Sequence, residues 1–219
     1  NTTDLLYTYS VPQPPFLVGT MLANVGDLSN KGIELTLNTN LVSTDDLQIS
    51  SDVVLASNKQ LIEKLSNDQF ETDEVFSGSL FGLPGMSNQF SQIIKEGFPV
   101  GTFWGYEALG RDANGRFILS QEKTDLGNIQ PKLTLGFGMN FKYKSFDASF
   151  LTSGMFGQKV LNATGMSLWD PNRLPAQNVP DAFLESGITS DATFSSYWVE
   201  DASFLRLQTL TVGYTFNFE

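Results

Sequence analysis

The 219-residue chain carries 24 Asp and Glu against 13 Lys and Arg, a net charge of −11, and has no Cys and no His. Those absences remove thiolate chemistry, zinc–cysteine sites and imidazole bases, so no Ser-His-Asp or Cys-His enzyme is built from these residues. The acidic balance argues against a nucleic-acid partner, which needs clustered Lys and Arg, and no apolar run reaches the ~18 residues of a membrane-spanning helix.

The start, Asn1-Thr2-Thr3-Asp4-Leu5-Leu6-Tyr7, has neither the basic region nor the apolar core of an export signal. The first regular pattern falls at 33–42, where Ile33, Leu35, Leu37 and Leu41 alternate with Glu34, Thr36, Asn38 and Asn40. Strand side chains point alternately to two faces, so such a stretch has one apolar and one hydrophilic face. After the polar turn Ser43-Thr44-Asp45-Asp46, the span 47–57 repeats the pattern less cleanly through Leu47, Ile49, Val53 and Leu55.

The span 133–143 is the clearest: Leu133, Leu135, Phe137, Met139, Phe141 and Tyr143 are separated by Thr134, Gly136, Gly138, Asn140 and Lys142. Its length suits a bilayer, whose hydrocarbon core takes about 9–11 tilted residues, better than the ~5–6 of a globular strand. Only Lys144 and Ser145 separate it from the next, 146–156, carried by Phe146, Ala148 and Phe150. The last, 204–218, places Leu210, Val212, Tyr214, Phe216 and Phe218 on one face.

The connections fall into two classes, tight turns at 43–46 and 144–145 and long segments at 58–132 and 157–203. Short turns at one end and long loops at the other mark outer-membrane barrels, with the long loops outside the cell. The expected fold is therefore all-β: an antiparallel transmembrane β-barrel segment with Leu135, Phe137, Met139, Phe141, Val212, Tyr214 and Phe216 toward lipid. A secreted β-sandwich that binds carbohydrate is the rival, since sandwich strands also have one buried and one wet face. A glycosidase using carboxylates alone is a more distant third.

Both long loops are too aromatic for flexible linkers. Trp104, Tyr106, Trp169, Tyr197 and Trp198 are the candidate ligand-binding residues, because aromatic faces stack on sugar rings; packing within the loops, or an aromatic girdle at the lipid interface, uses the same residues. The loop from 157 to 203 also contains Asp170, Pro171, Pro175 and Pro180. Asp112-Ala113-Asn114-Gly115 lacks the further carboxylates of a calcium loop and reads as a hairpin turn. Asp68, Glu71, Asp73 and Glu74 read as solvated charge. Glu200 and Asp201 are strand neighbours pointing opposite ways, which is not an acid/base pair across a cleft. No catalytic residue, metal site or cofactor is expected. Within strands, Lys142 has the parity of the wet face. Arg206 shares the parity of Leu210, and is expected at the outer rim in preference to a bulge near Gln208 that would reset its face.

Five stretches resemble the C-terminal part of SusC/RagA-type TonB-dependent outer-membrane transporters. They are 24–35 (Asn-Val-Gly-Asp-Leu-Ser-Asn-Lys-Gly-Ile-Glu-Leu), 97–106 (Gly-Phe-Pro-Val-Gly-Thr-Phe-Trp-Gly-Tyr), 127–134 (Gly-Asn-Ile-Gln-Pro-Lys-Leu-Thr), 200–207 (Glu-Asp-Ala-Ser-Phe-Leu-Arg-Leu) and 213–216 (Gly-Tyr-Thr-Phe). The resemblance implies a barrel of ~22 strands, of which about five or six lie here, in the outer membrane of a Gram-negative bacterium. It also implies import of glycans, oligosaccharides or peptides, a SusD-like surface lipoprotein as lid, and a TonB complex acting through a plug region. On that resemblance the chain is expected to be a fragment, with its export signal upstream.

Overall fold

The computed structural model describes the chain apart from residues 4, 11–12, 14–16, 18, 25, 67–71, 84, 170–173, 175, 177, 191 and 217–219, and the side chains at 7, 9, 10, 21 and 23. In chain order the elements are β1 (Leu6–Ser10), β2 (Thr20–Asn24), β3 (Asp27–Ser43), β4 (Leu47–Lys64), β5 (Glu74–Ser79), β6 (Phe90–Lys95), β7 (Thr102–Arg111), β8 (Phe117–Asn128), β9 (Leu133–Tyr143) and β10 (Phe146–Phe156). Then come β11 (Lys159–Leu161), α1 (Ala163–Leu168), α2 (Asp181–Ser186), a 3-10 turn (Ser196–Trp198), β12 (Val199–Asp201) and β13 (Phe204–Tyr214). Asp68, Glu71, Asp170, Pro171, Pro175 and Phe218 lie outside the described residues. The chain divides into two units, one made of Asn1–Asn30, Gln60–Ile129 and Lys159–Glu200, the other of Lys31–Lys59, Gln130–Gln158 and Asp201–Glu219.

The second unit holds most of a five-stranded sheet ordered β13-β10-β9-β4-β3. β4 with β9, β9 with β10 and β10 with β13 pair antiparallel. Tyr143 lies opposite both Leu47 and Phe146, Phe141 opposite Ile49 and Ala148, and Met139 opposite Ser51 and Phe150. Because register preserves parity across a sheet, the apolar sets of β4, β9 and β10 share one face. Thr39 Oγ1 and Ser51 Oγ satisfy each other at 2.7 Å, which puts the odd-numbered residues of β3 on that face too. Asn140 Nδ2 donates to Ser50 Oγ at 3.3 Å on the other.

The pairing of β10 with β13 corrects one expectation. From Phe146↔Tyr214 to Phe150↔Leu210 the register is regular, but it shifts between Leu151 and Thr152, and Ser153 then lies opposite Arg206. The extra residue of a bulge moves every later side chain to the opposite face. Arg206 is thereby on the polar face, and Leu205 and Leu207 join Leu210, Val212 and Tyr214 on the apolar one. It is the bulge near Gln208, not a rim position, that resolves the parity conflict in the sequence. The Gln208 amide oxygen accepts from Arg206 Nε at 3.2 Å and Nη2 at 2.9 Å and from Ser153 Oγ at 2.6 Å, the amide orientation following from that network.

The first unit has its own four-stranded sheet, ordered β5-β6-β7-β8, together with α1, α2 and the 3-10 turn. Its core joins Leu80, Met86, Phe103, Met166, Trp169, Phe183, Ile188, Phe194 and Trp198. Residues of both long connections thus meet in one apolar core, the physical reason that they are ordered. Asn162 caps α1 by accepting from Gly165 N–H at 2.7 Å, and Gly187 ends α2 in the left-handed region at φ 65°.

Candidate functional site

The resembling stretches first explain geometry. Gly101 turns the chain at φ +83°, and a Cβ there would meet Ile129 Cγ1 at 2.4 Å, so only glycine fits. Thr102, fully buried, donates to the Pro99 carbonyl at 2.7 Å. Asn128 Nδ2 donates to the Val100 carbonyl and to Thr102 Oγ1, both at 3.1 Å. One amide therefore clamps 97–106 to 127–134. In the second unit Ala202 exchanges bonds with Gln158, its N–H reaching the Gln158 carbonyl at 3.0 Å and its carbonyl accepting from Gln158 Nε2 at 2.6 Å. Asp201 Oδ1 accepts from Ser203 N–H at 2.8 Å, and Glu200 Oε1 accepts from Asn162 Nδ2 at 2.7 Å. These two carboxylates thus serve local backbone and capping roles.

The five candidate aromatics fall into two sets. Trp104, half-buried on β7, meets Phe98 edge-on at 5.6 Å and lies under the Lys95 ammonium at 5.8 Å. Tyr106, also half-buried, has Lys123 Nζ 5.6 Å from its ring centre. Such contacts stabilise by about 0.5–1 kcal/mol each at partly exposed sites. Trp169, Tyr197 and Trp198 form the other set, with Trp198 5.2 Å from Trp169 and 4.9 Å from Tyr197. Trp169 and Trp198 are only 7% and 2% exposed and act as core, whereas Tyr197 keeps 44% of its surface open.

Sequence reasoning overlooked the partners of this second set. Phe117 lies 5.1 Å from Tyr197, and Phe183 lies 5.3 Å from Trp169. A signal for Phe183 was present, because Pro180 before Asp181 and Gly187 after Ser186 bracket a short helix in the expected way. The Asp112 turn is a hairpin: Asp112 Oδ1 accepts from Asn114 and Arg116 N–H, both at 2.8 Å. Among the described residues no group of His, Cys, Asp or Glu is placed to hold a metal ion.

Ala108, Arg111 and Phe117 on the β7–β8 hairpin, Glu185 and Ile188 on α2 and its exit, and Tyr197 line a cleft of about 380 Å³. That lies at the small end of ligand pockets, about 300–1,000 Å³. The hairpin tip is tied down by Thr189, whose N–H donates to the Gly115 carbonyl at 3.0 Å. Ser196 Oγ accepts from Ala108 N–H at 2.9 Å on the other side.

No protein-family model matches the chain. Curated relatives do. TonB-dependent receptor P26 of Formosa agariphila is 30% identical over 254 residues, and P3 of the same organism 25% over 248, each match spanning 97% of this chain and 24% of the relative. TonB-dependent receptor SusC of Bacteroides thetaiotaomicron is 25% identical over 238 residues, spanning 99% of this chain and 23% of SusC. Among solved structures, the RagAB peptide transporter matches with a TM-score of 0.71 at 20% identity, over 97% of this chain and 25% of its own. The RagAB importer in its closed-closed state gives 0.72. The chain thus spans about a quarter of the length of the relatives it matches, and its sheet is an open portion of an antiparallel barrel. By sequence and by fold, it is related to a quarter-length segment of the SusC/RagA-type TonB-dependent transporters.

Proposed function

We infer that the chain forms part of the wall and the extracellular loops of an outer-membrane transporter that imports glycans, oligosaccharides or peptides. The observation that carries this is the predominantly apolar face of the five-stranded sheet, which the bulge beside Gln208 extends through Leu205 and Leu207. Val212 is 73% and Leu210 64% exposed on that face, an expensive surface in water but a matched one in lipid. Leu135, Phe137, Met139, Phe141, Val212, Tyr214 and Phe216 are assigned to lipid, and the connections 58–132 and 157–203 to the cell exterior. The partners that fit this reading are a SusD-like surface lipoprotein over the loops and a TonB complex that supplies energy through the plug region of such transporters. Trp104, Tyr106 and Tyr197 are assigned to the ligand-facing side of the loop body, with Trp169 and Trp198 holding it together.

The test uses the full-length polypeptide in outer-membrane vesicles. Spin labels placed singly at the seven assigned positions are expected to collide with oxygen in the bilayer and to be shielded from a water-soluble nickel chelate. Labels that all report nickel access, or a dry protein core, would sink the barrel reading. Deletion in the source cells should abolish growth on one glycan or peptide source; unimpaired growth on all of them removes the import reading.

A further inference from the structure

The cleft between the β7–β8 hairpin and α2 has a chemistry of its own. Its floor is apolar, built from Phe117, the buried Ile188 and the half-open ring of Tyr197. Arg111 and Glu185 stand exposed at its walls, and they do not neutralise each other: among the described residues the ion pair formed is Lys95 with Glu74, elsewhere on the surface. The guanidinium offers a planar fork of donors and the carboxylate a planar pair of acceptors.

The frame of the cleft is fixed before any ligand arrives. Thr189 holds the hairpin tip, Ser196 holds Ala108, and Tyr106 bridges to Ser195. Arg111 lies close over the bare backbone of Gly187, where a Cβ would meet Nη1 at 2.9 Å. Walls set in this way lower the ordering cost of binding.

Three features choose among ligands. Ser195 and Ser196 already occupy β7 at Tyr106 and Ala108 beside the cleft, which removes those positions from main-chain pairing with a peptide. One cation and one anion give the cleft no net charge, and the chain's acidic excess lies almost wholly in this first unit, which disfavours polyanions by long-range repulsion. An aromatic face with bidentate donors and acceptors around it suits a ring with one apolar face and a rim of adjacent hydroxyls. We propose that this cleft is a subsite for an uncharged pyranoside, with Tyr197 as the platform and Arg111 and Glu185 hydrogen-bonding neighbouring hydroxyls. The assignment rests on the transporter reading above and adds to it a place and a neutral-sugar preference.

The test is calorimetric titration of the full-length protein in detergent with maltohexaose, cellohexaose, xylohexaose and mannohexaose, and with a sulfated carrageenan hexasaccharide. At least one neutral hexasaccharide is expected to bind, the sulfated one at least about tenfold more weakly. Tyr197→Ala, Arg111→Ala and Glu185→Gln should each weaken the neutral ligand about tenfold or more, whereas Tyr197→Phe keeps the platform and should cost less than threefold. Near-UV circular dichroism of each variant separates lost binding from lost folding. No binding of any neutral probe, binding untouched by variants that remain folded, or preferential binding of the sulfated probe or of a tryptic peptide pool overturns the subsite. The transporter reading is judged separately by growth of the deletion strain, so it survives if the subsite alone fails.

Discussion

Arg206 lies directly opposite Ser153, although a few residues further along the same strand Leu210 lies opposite Phe150. The two pairings are out of step by one residue, and that step decides which face of β13 carries a cation. With Gln208 bonded to both Arg206 and Ser153, the shift has a polar network of its own on the hydrophilic face. A guanidinium at mid-membrane on the lipid face would cost about 2–4 kcal/mol, more than local ladder bonds given up at a bulge, each worth about 1 kcal/mol net.

Exchanging neighbours across the two faces tests that balance. Arg206→Leu is expected to assemble nearly as well as the parent, since it only removes a satisfied charge from the wet face. Leu207→Arg places the charge on the apolar face and should lower stability by about 2–4 kcal/mol if it sits at mid-bilayer, less near an interface. Heat-modifiability of the full-length barrel on denaturing gels, followed by urea titration in vesicles, reads the difference. Equal behaviour of the two variants would mean that the bulge does not separate a lipid face from a wet one.

A second test concerns the turn at Gly101. Alanine there meets both the left-handed φ of +83° and the Ile129 side chain at 2.4 Å. The backbone term alone costs about 1–3 kcal/mol, and overpacking about 1–3 kcal/mol more. Gly82 has φ +98° but open space around it, so Gly82→Ala should show the backbone term only. Adding Ile129→Ala to Gly101→Ala should recover part of the packing term and none of the backbone term, measurable as a double-mutant cycle on the melting temperature.

The staves of the sheet were legible because strand parity is local: the alternation through Phe137, Met139 and Phe141 needs no tertiary knowledge to be read. The face of Arg206 was not, because a bulge is a property of two strands, and nothing in β13 alone says that Gln208 is the residue left without a partner on β10. The same limit applies to the loop body. The aromatic content of 58–132 and 157–203 announced order, yet the pairing of Trp169 with Phe183, and of Phe117 with Tyr197, joins residues whose meeting depends on the whole fold. The Arg111–Glu185 cleft left no sequence mark at all, since its two walls come from segments with no shared motif.

Asn128 gives a third prediction. Its amide supplies bonds to the Val100 carbonyl and to the fully buried Thr102. Asn128→Ala leaves a buried acceptor unmet and should cost about 1–3 kcal/mol. Asn128→Asp keeps the shape but turns the donor into an acceptor facing a carbonyl, so it should be at least as damaging. Hydrogen exchange at 97–106 is the measurement, with faster exchange there and unchanged protection in 133–143 as the expected pattern. Uniform protection in both variants would remove the clamp role.

The last prediction separates neighbours in the 3-10 turn. Trp198, 2% exposed, touches Trp169, Tyr197 and Phe117, whereas Tyr197 is 44% exposed. Truncating a buried Trp costs about 3–5 kcal/mol through lost burial and the cavity left behind, enough to unfold a loop body with a core of this size. Trp198→Ala should therefore open 157–203 to protease in the assembled full-length protein while leaving the sheet resistant. Tyr197→Ala loses only a half-buried ring and should leave the loops resistant, with its effect appearing in ligand binding. Proteolytic mapping by mass spectrometry reads both, and equal protection in the two variants would show that the aromatic cluster is not what holds the loop body together.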